Sequence, residues 1–415
     1  MREARATFSP AAAPAAAKLC LWFYLAMLFI SVAYIGVTGT LNGDFYGVPL
    51  VLTDWQFAAV VVISVAPYGV GYGMYRRFVR RAPPATVRVG NAILGTTFFV
   101  VTLWFIALAI KYDVGVLSRG IYEAPGLLKP FIQVTNRINP FYLGCFFIVG
   151  YQGSKKVLAL GIALLIALGL LRAGLGVFMY VLLALAIRNH HSLKDTFRRH
   201  FFKLLGAILL LPMLTSSLYT LRGELREEAA DVTPSLSAIE MVTARLVGRL
   251  SSISNTAFIF QESQQFRSDV RALDPWYFQR QIFSPLLGVS ILPEVIPERL
   301  LINVHGGNWF DVSFMTGVPG NLTMAWFIHP LLAVINAATM ILMIWLSFYF
   351  ANKLALPYRN EVCFMLLLYP LTSGVGNEFS FIAVSMLALI VVFSLLRLFR
   401  IPGRACTRDR RQAVP

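Results

Sequence analysis

Residues 89–111 read VGNAILGTTFFVVTLWFIALAIK, in which the first ionisable side chain after Val89 is Lys111. A helix that apolar on every face has no water-facing side, and at ~1.5 Å per residue it covers the ~30 Å hydrocarbon core of a bilayer. In lipid a helix satisfies its own backbone hydrogen bonds, so such a run reads as a span. The same pattern recurs at about 18–39, 53–75, 130–151, 156–171, 173–188, 201–220, 322–350, 360–376 and 379–399. The composition agrees: 57% of the 415 residues are hydrophobic, 13% are charged, and mean hydropathy is +0.68. The expected fold is therefore all-α, a polytopic helical membrane protein with about ten transmembrane helices and one large helical loop domain.

Lysine and arginine orient it. They crowd Arg76 to Arg88, Lys155 and Lys156, Arg188 to Lys203, and Arg397 to Arg411. These connectors are cytoplasmic by the positive-inside rule, and ten spans then leave both termini inside. The chain divides into a disordered leader at 1–17, helices 1–7 at 18–220, a loop domain at 221–321, helices 8–10 at 322–399, and a basic tail at 400–415. The net charge of +16 lies mostly on the cytoplasmic rim, where the partner is the anionic surface of the lipid bilayer rather than nucleic acid. Cys20, Cys145 and Cys363 fall in spans and Cys406 in the tail, so no disulfide is expected.

The hydrophilic stretch from Leu221 to Gly320 holds eight arginines, eleven carboxylates and no lysine. Arginine's planar fork binds phosphate and carboxylate oxygens bidentately, whereas lysine is a point charge. Pro234 after Thr233 opens an amphipathic helix whose apolar stripe is Ile239, Val242, Leu246, Leu250 and Ile253. Arg245 and Arg249, four apart, share a face and can converge on one anion. Alternatively they pair with Glu240 or other loop carboxylates.

Two short segments, Lys156 to Leu171 and Ala173 to Arg188, meet at Arg172-Ala173-Gly174. Sixteen residues cover only about 24 Å, so Arg172 is expected below the membrane surface, where an unpaired charge marks a pathway or a binding site. Snorkelling to the interface is the plainer alternative. Near the loop's end, Asn303 to Asp311 places His305 between polar residues and glycines, and an imidazole there is a candidate general base. Trp276, Tyr277 and Phe278 read as an interfacial belt or a sugar platform, and Asn321 begins a sequon too close to the membrane for glycosylation.

No Walker loop, no Gly-x-Ser-x-Gly elbow and no Cys/His cluster with metal spacing occurs, so no metal and no cofactor are expected. Glu378 sits at a turn, and the spans contain few carboxylates of the kind that bind coupling ions in transporters.

This pattern resembles the bacterial O-antigen and exopolysaccharide repeat-unit polymerases (Wzy type), within the superfamily that includes the O-antigen ligases. The resemblance rests on topology and on three places: Leu171-Arg172-Ala173-Gly174, Ala244 to Leu250, and His305 to Gly320. It implies a glycosyltransferase of the bacterial inner membrane that joins undecaprenyl-diphosphate-linked oligosaccharides at the periplasmic face, with a chain-length regulator as a further partner. Arg172, Arg245 and Arg249 would hold the diphosphate, Arg245 and Arg249 would assist catalysis, and His305 would take the acceptor proton. Asn308 and Asp311 would bind hydroxyls and Trp309 would stack on a sugar ring. An O-antigen ligase and a polysaccharide flippase are the alternatives.

Overall fold

A computed structural model describes residues 13–81, 85–115, 126–172, 174, 176–192, 199, 236–262, 274–287, 317–372 and 376–398. The described residues form an all-α bundle. Its helices are α1 (Ala13–Thr38), α2 (Asp54–Arg80), α3 (Asn91–Tyr112), α4 (Lys129–Thr135), α5 (Pro140–Gly150), α6 (Lys155–Leu171) and α7 (Gly176–Arg188). They continue with α8 (Leu236–Ser251), α9 (Ile253–Gln261), α10 (Tyr277–Leu287), α11 (Gly317–Ile328), α12 (Pro330–Lys353), α13 (Arg359–Thr372) and α14 (Gly376–Leu398). Five of them, α1, α2, α3, α12 and α14, are long and apolar enough to cross a membrane.

Helix length sorts the bundle into two shells. The long helices expose large apolar side chains such as Trp22, Phe29, Val62, Val100, Ile110, Val334 and Val391, as lipid-facing helices do. Two short ones, α5 and α13, are buried along almost their whole length and form the centre with Phe146, Phe147, Phe364 and Leu367. An 11-residue helix covers only about 16 Å. It is tolerated because its ends meet protein rather than hydrocarbon: Asn139 caps the first turn by accepting from the Phe141 N–H, and Gly150 packs against Leu94, Leu356 and Pro357.

One end of the bundle gathers the arginines and lysines of the 76–88, 155–156, 188 and 353–359 connections. There β1 (Val87–Arg88) and β2 (Leu354–Ala355) pair in parallel, and Arg188 donates to the Ile148 and Tyr151 carbonyls. We call this the basic end and the other the loop end.

Two expectations change. The apolar run read as one span from 322 to 350 is two helices, because Pro330 lacks an N–H and the His329 ring accepts from the Leu331 N–H, starting a new helix. Among the described residues of the loop, α8, α9 and α10 pack against α1, α2 and α14. Tyr277 and Phe278 are likewise buried, so they are neither belt nor platform; only Trp276 is exposed. The sequon asparagine, Asn321, is buried in an amide chain in which Gln279 donates to Asn336 and Asn336 donates to Asn321. The expected span at 201–220, the leader to residue 12 and the tail lie outside the described residues.

Candidate functional site

Arg172 closes α6, its backbone N–H bonded to the Leu168 carbonyl and that of Gly174 to the Gly169 carbonyl. The guanidinium lies over the Phe105 ring at 4.8 Å and nearer the edge of range over Phe141 at 6.0 Å. Phe105 lies about two turns before the end of α3 at Tyr112, and the guanidinium lies against both that ring and Gly115, just beyond the helix. Gly115, in the left-handed region at φ +79°, lets the chain pass over it; a side chain there would strike the guanidinium. Arg172 Nε is buried with no hydrogen-bond partner, and Arg172 makes no ion pair among the described residues. Aromatic faces supply what attraction it has.

Arg249 is held differently. Its Nε donates to Asp44 Oδ1 at 2.6 Å, joining α8 to the α1–α2 connection. Asp44 is nearly buried while the arginine side chain is 31% exposed. Around the pair, Ser31 and Ser254 donate to Asn42 Oδ1, and the Asn42 N–H donates to Ser254. The backbones of Gly43 and Gly248 touch, so a Cβ at Gly248 would collide with the main chain of Gly43. Arg245 faces the same connection near Tyr46. Burial, Tyr34 and Glu240 push the Tyr46 phenol up, and Arg245 opposes them.

The predicted α8 forms, and its stripe is buried in part: Leu250 packs half-buried against the core and Ile253, just beyond the helix, is fully buried, but Leu246 is 41% exposed. Ala244, Gly248 and Ser251 are buried beside them. Small residues let α8 approach α1 and the first connection at backbone distance. Ser252, at φ +51°, then ends the helix, so Ile253 begins α9.

Glu378 stands half-buried in the first turn of α14, at the end of the bundle where a turn was expected, and accepts from the Tyr142 hydroxyl at 2.8 Å. Tyr142 contacts Tyr180 edge-on, and Tyr180 contacts Tyr369. Phe141 and Tyr142 are consecutive on α5, so this one helical turn carries Arg172 on one residue and Glu378 on the next. The only sequence signal was the Glu378 carboxylate in an otherwise apolar run. At the basic end Glu361 is buried and accepts from Tyr75. His305, Asn308, Trp309 and Asp311 lie outside the described residues.

These features define the class: a helical membrane protein with buried ionisable side chains toward the loop end of a two-shell bundle. Compared with protein-family models, curated proteins and solved structures, the chain matches none of them.

Proposed function

We propose that the chain is a glycosyltransferase that polymerises undecaprenyl-diphosphate-linked oligosaccharide repeat units at the periplasmic face of a bacterial inner membrane. In this proposal it has ten spans, adding α5, α6, α7, α13 and the 201–220 segment to the five long helices, and both termini are cytoplasmic. The observation that carries the proposal is Arg172: a cation seated on two aromatic rings, with a buried Nε and without a counter-ion among the described residues. Holding it there unpaired is costly unless an anion arrives. A diphosphate carried on a membrane lipid is such an anion.

In the reaction, the acceptor sugar's hydroxyl attacks the anomeric carbon of the donor chain, and the bond from that carbon to the diphosphate oxygen breaks. The pair of electrons leaves on the diphosphate, where charge grows in the transition state and where Arg172 stabilises it. His305 takes the hydroxyl proton. Arg249, ion-paired with Asp44, orders the α8 end of the site, with Arg245 beside it.

Two carboxylates favour a second proposal. Glu378, half-buried at the loop end, and Glu361, buried at the basic end, each accept from a tyrosine, and carboxylates inside the bundle are the groups whose scarcity had argued against a flippase or transporter. A deletion strain complemented with wild type or Arg172→Ala, at matched membrane levels, separates the possibilities. Polymerase activity predicts a ladder with wild type and single repeat units with the variant. Polymer left on its lipid carrier in the deletion strain indicates a ligase, and failure of any repeat unit to reach the periplasm indicates a flippase.

A further inference from the structure

At the basic end, Arg76, Arg77, Arg80 and Arg81 line a recess of about 470 Å³ whose fifth lining residue is Gly73. At ~100° per residue, Arg76 and Arg80 form one rung pair and Arg77 and Arg81 another, the members of each pair one turn or about 6 Å apart. All four occupy an arc of roughly 140° on α2, and Gly73, one turn earlier, falls near its middle. The glycine therefore opens the floor between the two rung pairs.

All four arginines are exposed, and none makes an ion pair or side-chain hydrogen bond among the described residues. Four like charges within two turns repel one another, and the C-terminal end of the helix dipole offsets only part of that. An anion with more than one charged group relieves the rest.

Two neighbouring features identify its source. Phe78, on the buried side of α2, packs on Trp345, which stacks on Tyr349 at 5.2 Å, and Lys353 lies over Tyr349. An aromatic cluster of this kind marks the headgroup level of a bilayer. Below the recess, Gly69 and Gly73 are exposed, and a Cβ on either would meet nothing within 4 Å. They leave an open groove leading from the arginines along the apolar face toward Val70 and Val62, both exposed.

We propose that this is a binding site for an anionic lipid whose headgroup carries two phosphates. The guanidinium forks grip the phosphates in pairs, and an acyl chain lies in the Gly69–Gly73 groove. Neither the polymerase nor the flippase proposal uses this site.

The test is native mass spectrometry of the purified full-length protein, released from micelles containing diphosphatidylglycerol, phosphatidylglycerol and phosphatidylcholine in equal amounts. Wild type is expected to retain diphosphatidylglycerol over phosphatidylglycerol by about tenfold, the ratio that 1.4 kcal/mol produces. Gly73→Leu fills the floor without changing charge, and the fourfold Arg→Lys variant keeps the charge that sets topology while removing the forks. Both are expected to abolish the preference. Equal retention by wild type and both variants overturns the site, as does wild type with no preference between the two anionic lipids. Displacement by inorganic diphosphate at the lipid's own concentration overturns the lipid assignment in favour of a soluble phosphate compound.

Discussion

Arg172 and Arg249 are alike in sequence context, each in a helical run ending beside glycine or serine, yet the fold treats them in opposite ways. Arg249 is partly exposed and ion-paired with the nearly buried Asp44, inside a network that also ties Asn42 to Ser31 and Ser254. Arg172 sits deeper, over Phe105 and Phe141, with a buried Nε that meets no acceptor. An arginine that neutralises a carboxylate of its own chain fixes the loop to the bundle. One left without a counter-ion is available to an incoming anion. Charge alone does not distinguish the two arginines; their partners do.

The sharpest way to break this contrast is Arg172→Ala, expected to lower polymer formation by about 10²–10³-fold, the loss seen when one preorganised transition-state donor is removed. Arg172→Lys is expected to fail nearly as badly, because a point charge does not reproduce the fork. Normal ladders from either variant would remove Arg172 from the site. Next comes Gly248→Ala, whose new methyl meets backbone that cannot rotate away. A loss of roughly 2–3 kcal/mol is expected, read as a lower melting temperature in detergent.

Arg249→Gln is expected to cost about 2 kcal/mol by stripping a charged partner from Asp44. Adding Asp44→Asn should recover part of that stability. If polymer synthesis recovers with it, Arg249 is a fastener; if stability returns without activity, Arg249 also meets the diphosphate. Smallest is Tyr142→Phe, which removes the hydroxyl from Glu378 for about 1 kcal/mol of stability. A change in transport of lipid-linked repeat units far beyond that destabilisation would strengthen the flippase proposal.

Much of the fold is legible because lipid demands it. The spans at 18–39, 53–75 and 89–111 correspond to α1, α2 and α3, since few arrangements other than a membrane helix accommodate twenty apolar residues in a row. The shortness of the helices on either side of Arg172 was visible by counting. The break at His329-Pro330 was visible too, in a proline whose effect the surrounding apolar run concealed.

By itself the sequence determined the class of environment and the positions of most of the long helices, because each follows from local hydrophobicity and residue count. Only the tertiary structure decided which face of α8 packs, that Asp44 rather than Glu240 meets Arg249, and that Glu378 points into the bundle toward Tyr142. The physical reason is that these contacts join residues far apart in sequence: the close approach of Gly43 and Gly248 and the pairing of distant polar groups choose them, and neither follows from local hydrophobicity.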